Sequence, residues 1–202
     1  QQLYEGVDLK KRGTVGLITY LRTDSTRISE GAMAHAKEYI TENYGSEYVR
    51  KVPHQKKDGG KIQDAHEAIR PTDITITPDE VKPQLTRDQF RLYQLIWKRF
   101  MASQMDSTIY ETINVRIQAG DYEFRANTSK VKFDGFMKVY TDDDNKKIST
   151  NNTIAKLDKD SELEFVEFEE NQHFTQPPAR YTEASLVKAM EEQGIGRPST
   201  YA

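Results

Sequence analysis

The chain has 202 residues, 36% of them hydrophobic and 30% charged, with a formal net charge of −3, which is room for one large domain or two small ones. Cysteine is absent, which excludes disulfides and thiolate zinc sites and fits a reducing compartment. No apolar run approaches the ~20 residues of a membrane span, and the opening "QQLYEGVDLK" lacks the apolar core of a signal peptide, so the expectation is a cytoplasmic location with no membrane partner.

The net charge argues against a uniformly basic, nucleic-acid-coating surface. Its distribution is uneven, however. Residues 1–72 hold 12 Lys and Arg against 10 Asp and Glu, and the remainder hold 17 against 22. Any nucleic-acid surface is therefore expected to be local and to lie near the early residues. The chain opens on Gln1 and stops at "RPSTYA", which reads as the middle of an element, so an excised fragment is expected.

Taken in chain order, Leu17 to Arg22 alternate as a strand in which Ile18, Tyr20 and Arg22 share one face. Ser29 is placed to cap a helix through Met33, Ala36, Ile40 and Tyr44, with Gly45 ending it. "KVPHQKKDGGKIQ" reads as a mobile loop, and "DAHEAIRPTD" as a short helix ended by Pro71. A helix runs from Thr86 to about Gln104, opened by a Thr86/Gln89 capping box, with Phe90, Tyr93, Trp97 and Phe100 as its apolar stripe. Past Ser107 the period changes to two. Ile113, Val115 and Ile117 form a strand, "AGD" a turn, and Tyr122, Phe124 and Ala126 a second strand. "VKFDGFMKVY" and "ELEFVEF" read as further strands, "DDDNKKISTNN" as an exposed loop and "TQPPAR" as a linker. A last helix opens at Thr182 and stops at Gly194. The fold class expected is α+β and multidomain.

Three motifs carry chemistry. "GLITYLRTDST" sets Tyr20 beside Arg22, Thr23, Asp24 and Ser25. The plain reading of Tyr20 is a core residue with its hydroxyl hydrogen-bonded. The alternative is a nucleophile that must lose a proton to attack, with the Arg22 guanidinium favouring the phenolate and gripping a phosphate. In "DAHEAIRPT" a helix would put His66 and Arg70 on one face, both able to donate to a phosphate; the plain reading is a cap with a solvated charge pair. The zinc motif H-E-x-x-H fails, because Arg70 stands where the second His would be. In "RYTEASLVKAMEEQGIGRPST", Gly194 and Gly196 frame a loop presenting Arg197, Ser199 and Thr200 to a nucleic-acid backbone; the plain reading is a C-cap followed by a new helix start. Together the motifs offer a tyrosine, four phosphate-binding cations (Arg22, His66, Arg70 and Arg197) and no obvious general base, a set suited to transesterification at a phosphodiester.

In order and spacing these three motifs resemble those of the bacterial type IA DNA topoisomerases, with the Gram-positive enzymes nearest. The resemblance implies ATP-independent cleavage and resealing of one strand through a 5′-phosphotyrosyl link, relaxing negatively supercoiled DNA. It places the catalytic tyrosine on Tyr20 and its arginine on Arg22. DNA contacts fall on Thr23, Asp24, Ser25, His66, Arg70, Arg180, Ser185, Arg197, Ser199 and Thr200. Leu21 stands where the family often has Met. The family's magnesium-binding acids have no counterpart here, so Mg2+ is expected to be held outside this chain. The resemblance also implies a helical tyrosine-bearing domain over 1–106, a β-rich arch segment over 107–176 and the start of a helical single-stranded-DNA-binding domain over 177–202. The partners expected are DNA, single-stranded at the cleavage site, and the rest of the same polypeptide, with no nucleotide cofactor. Two rival readings stand: a tyrosine recombinase or type IB-like strand transferase, in which the tyrosine comes last in sequence, and a non-catalytic DNA-binding or hinge module.

Overall fold

The computed structural model of the protein describes residues 1–10, 12–23, 25–52, 66–141, 154, 157–159, 161–167, 169–196 and 200–201. The chain divides into two units, Gln1–Leu157 and Asp158–Ala202. Of the loops expected at 51–63 and 142–152, all but residues 51 and 52 lie outside the described residues, as do residues 64 and 65 of the expected short helix.

The first unit opens with one helical turn, α1 (Gln2–Glu5), followed by an antiparallel hairpin of β1 (Val7–Leu9) and β2 (Gly13–Val15), with Val7 opposite Val15. Helix α2 (Glu30–Asn43) starts where its cap predicts: the Ser29 hydroxyl accepts the Ala32 N–H at 3.4 Å. It ends at Gly45, whose φ of +112° suits a residue without Cβ. The one-turn helix α3 (Pro78–Val81) precedes α4 (Arg87–Gln104), which begins on the expected Thr86/Gln89 capping box. Tyr93, Trp97, Phe100 and Met101 of α4 pack against Leu3, Leu9, Leu17, Ile18, Ala36, Ile40, Ile74, Ile76 and Val81 to form the core. Two polar tips inside it are satisfied by backbone. The Tyr93 hydroxyl donates to the Ile76 carbonyl at 2.7 Å and Trp97 Nε1 to the Ile74 carbonyl at 3.0 Å. Burial pushes the Tyr93 hydroxyl pKa well up.

Beyond α4 come β3 (Ile109–Ala119) and β4 (Tyr122–Phe133), a long antiparallel hairpin with Val115 opposite Ala126 and Ala119 opposite Tyr122. The turn is the two-residue Gly120–Asp121, with Gly120 at φ +60°. The foot of the hairpin is tied to the helical part. Phe136 N–H donates to the Asp106 carbonyl at 2.9 Å, and the Tyr48 hydroxyl to Asp134 Oδ1 at 2.7 Å. Lys51 Nζ lies 3.2 Å from Asp106 Oδ2. Partial burial raises the Asp106 pKa, but the Ser107 N–H and the Lys51 ammonium outweigh it and leave the carboxyl below its ordinary value.

In the second unit the described residues before Thr182 form no helix or strand. Helix α5 (Glu183–Glu192) then starts on a Thr182/Ser185 capping box.

Mixed helices and small antiparallel sheets are what the α+β expectation requires. Four local expectations differ. Residues 17–22 are not a continuous strand: Ile18 makes an isolated antiparallel bridge to Pro71, and the pairing goes no further. Ile18 is buried in the core and Tyr20 exposed, while the Arg22 N–H folds back onto the Tyr20 carbonyl at 2.9 Å, a tight turn at Leu21. Residues 66–70 are not helical, because their backbone groups bond to distant chain. The strand through "VKFDGFMKVY" stops at Phe133, where Gly135–Lys138 turns as a 3₁₀ helix. The described residues of "ELEFVEF" are exposed and pair with no strand; alternation alone cannot supply the partner a strand needs.

Candidate active site around Tyr20

Two buried residues, Leu17 and Ile18, anchor the segment that leads to Tyr20. Burying side chains of this size contributes about 1.5–3 kcal/mol each. One side of the segment rests on α1: the Leu17 N–H donates to the Leu3 carbonyl at 2.7 Å and the Ile18 N–H to the same carbonyl at 3.3 Å. Gly16 permits this approach, since a Cβ there would lie 2.5 Å from the Tyr4 carbonyl oxygen.

The other side is bonded to residues 68–72. The Thr72 N–H donates to the Leu17 carbonyl at 3.1 Å and the Thr19 N–H to the Arg70 carbonyl at 2.9 Å. The Thr19 hydroxyl accepts the Arg70 N–H at 2.9 Å and donates to the Ala68 carbonyl at 2.8 Å. The residue just before Tyr20 is thus clamped to the segment that carries His66.

Tyr20 emerges from this clamp 52% exposed. Its ring stacks on His66, with centroids 5.7 Å apart and planes 29° apart. The Tyr4 ring meets it in an edge-to-face arrangement, with centroids 5.4 Å apart and planes at 65°. His66 Nδ1 is buried with no hydrogen-bond partner among the described residues. Leaving such an atom unpaired costs about 1–3 kcal/mol.

The remaining motif residues divide by placement. Arg22 and Thr23 are exposed beside Tyr20. Ser25 is buried, 6% exposed, and its Oγ accepts the Arg27 N–H at 3.1 Å. The Arg27 carbonyl in turn accepts the Ala68 N–H at 2.8 Å, so Ser25 shapes the turn behind the tyrosine. Arg70 faces Glu67, with Nη2 and Nε 2.8 and 3.1 Å from Oε2, and its Nη1 donates to the Pro71 carbonyl at 2.8 Å. The shared helix face expected for His66 and Arg70 does not form. Asp24 lies outside the described residues.

In the second unit Arg180 is exposed just before the α5 cap. Ser185 closes that cap, with its Oγ accepting the Thr182 N–H at 2.8 Å. Thr200 is exposed, and the Tyr201 hydroxyl beside it donates to the Ile195 carbonyl at 2.9 Å. Arg197 and Ser199 lie outside the described residues.

Of three further residues at the Tyr20 site, Gly16 and Thr19 lie within "GLITYLRTDST" but had no expected role in the site, and Tyr4 belongs to no sequence pattern. Tyr4 and Tyr20 are sixteen positions apart across a hairpin, and no periodicity links them. Among the described residues no three His, Asp or Glu side chains lie close enough together to hold a metal ion.

The family model described as DNA topoisomerase matches residues 1–202. Among solved structures, full-length topoisomerase I from Thermotoga maritima is similar over 100% of this chain, with 42% identity and a TM-score of 0.70. The chain spans 32% of that protein's length.

Proposed function

The chain belongs to the DNA topoisomerase family, and on that premise we propose that it is the tyrosine-bearing part of a type IA enzyme, with Tyr20 as the nucleophile. The observation that carries the reading is an exposed tyrosine ring, set against His66, on a backbone held from two sides. A nucleophile needs access to a large substrate together with a fixed position.

In the proposed step the Tyr20 oxygen attacks a backbone phosphorus of single-stranded DNA. A bond forms between that oxygen and phosphorus, and the bond from phosphorus to the 3′ oxygen breaks. The tyrosine proton leaves to solvent, and the departing oxygen takes up a proton to become a 3′-hydroxyl. The 5′-phosphotyrosyl ester keeps the phosphodiester energy, so resealing is the reverse attack and needs no ATP. Arg22 would hold the phosphate by a forked contact as its charge redistributes. His66 would offer a second donor, and Thr23, Asp24 and Arg70 lie on the same two segments. Arg180, Ser185, Arg197, Ser199 and Thr200 would contact the DNA strand. Repeated cleavage, strand passage and resealing would relax negative supercoils.

The same reading takes 1–106 as the domain that moves with the tyrosine, 107–176 as part of an arch and 177–202 as the start of a single-stranded-DNA domain. Mg2+ would be held by residues outside this chain and would stabilise charge on the phosphate.

The test uses full-length protein and single-stranded oligonucleotides labelled at either end. After denaturation, wild type should retain the 3′-end label, and Tyr20→Phe should retain none while still shifting the oligonucleotide on a gel. Adduct formed by Tyr20→Phe would sink the assignment. Retention of the 5′-end label would favour the recombinase or type IB chemistry. Binding by wild type without any adduct would leave a non-catalytic DNA-binding module.

A further inference from the structure

The contact between Tyr4 and Tyr20 has no role in the step proposed above. Tyr20 follows the Thr19 clamp directly but precedes a tight turn at Leu21, and its ring is half in solvent. Backbone hydrogen bonds fix where its Cα sits. They do not fix where the phenol oxygen points, because an exposed tyrosine ring turns freely between staggered rotamers. The rings of two neighbours limit that freedom. His66 stacks against Tyr20 with planes 29° apart, and Tyr4 presents an edge contact at 65°.

Tyr4 is itself firmly placed. Its own N–H bonds to the Gln1 carbonyl at 2.9 Å, and the carbonyl of the preceding Leu3 receives both Leu17 and Ile18 N–H groups. Its carbonyl oxygen sits against Gly16 so closely that a Cβ there would be 2.5 Å away. The short helix α1 is thus docked on the very segment that delivers Tyr20. Yet the Tyr4 ring is 41% exposed and lies outside the buried core. A large aromatic left half in water contributes less to stability than a buried one; its specific contact is with the other exposed tyrosine.

We infer that Tyr4 is a positioning residue whose ring, through its edge-to-face contact, holds the Tyr20 phenol in line with the scissile phosphate. This rests on Tyr20 being the nucleophile. The ring, not the hydroxyl, does the positioning, since edge-to-face attraction comes from the aromatic quadrupole. The same geometry serves attack on DNA and departure during resealing, so both rates depend on Tyr4 and their ratio does not.

The experiment compares Tyr4→Phe, Tyr4→Leu and Tyr20→Phe with wild type in the full-length protein, using one labelled single-stranded oligonucleotide. Single-turnover cleavage, religation, oligonucleotide Kd and Tm are each measured. Tyr4→Leu should slow cleavage and religation together by roughly two- to tenfold, the scale of one aromatic pair, with Kd, Tm and the cleavage equilibrium unchanged. Tyr4→Phe should match wild type. Wild-type rates in Tyr4→Leu overturn the inference while leaving Tyr20 in place. Equal slowing in Tyr4→Phe and Tyr4→Leu also overturns it, because the hydroxyl would then be the active group. A loss of binding or of Tm matching the loss of rate overturns it too, by making Tyr4 a packing residue. Adduct formed by Tyr20→Phe removes the premise and takes the inference with it.

Discussion

Thr19→Val isolates the clamp that holds Tyr20. Valine has the shape of threonine without its hydroxyl. That hydroxyl accepts from the Arg70 N–H at 2.9 Å and donates to the Ala68 carbonyl at 2.8 Å, both partly buried. The substitution leaves a donor and an acceptor unpaired. A buried orphan costs about 1–3 kcal/mol; partial access to water lowers this, so the pair together should cost about 1–3 kcal/mol. The bond from the Thr19 N–H to the Arg70 carbonyl survives, and complete detachment is not expected. Denaturant unfolding of the 202-residue chain can be followed through Trp97, its single tryptophan, which lies in the core of the same unit. The midpoint should fall with little change in slope, and Thr19→Ser, which keeps the hydroxyl, should recover most of the loss. In full-length protein Thr19→Val should also slow cleavage by roughly ten- to a hundredfold, because small displacements of a reacting group are costly. A Thr19→Val midpoint equal to wild type, or a Thr19→Ser loss as large as that of Thr19→Val, would refute the clamp.

Three further expectations follow from the same geometry. Arg22→Ala should lose about 2–4 kcal/mol of transition-state stabilisation, the scale of one such donor, and Arg22→Lys should keep part of the rate because it keeps charge without the fork; wild-type cleavage by Arg22→Ala would make Arg22 structural. Gly16→Ala places a Cβ 2.5 Å from the Tyr4 carbonyl oxygen, so it should lower Tm and slow adduct formation together, and an unchanged Tm shows that α1 does not press on this segment. Asp106, held below its ordinary carboxylate value, stabilises the fold in its charged form: the stability gap between wild type and Asp106→Asn should be full above pH 3.8 and close as pH falls through the lowered pKa. A gap that persists unchanged at the acid end, measured by denaturant unfolding at each pH, would show that the carboxylate charge is not what stabilises the joint.

What the sequence determined by itself is local. Ser29, Thr86 and Thr182 cap their helices because the backbone groups they satisfy lie within three residues. The β3–β4 hairpin follows from alternation on either side of a turn that Gly120 can make. The stripe on α4 becomes core because 3.6-residue spacing puts Tyr93, Trp97 and Phe100 on one side. The site motifs were visible as residue types, with Tyr20 near cations, but not as an arrangement. Tertiary structure alone decided that strand pairing over residues 17–22 stops at the Ile18–Pro71 bridge and that 66–70 are not a helix. Their polar backbone groups find partners some fifty positions away, in the Thr19–Ala68 and Thr19–Arg70 bonds, and no window along the chain contains both partners. For the same reason Tyr4 meets Tyr20, sixteen positions away: that contact is fixed by which distant segment reaches that point in space.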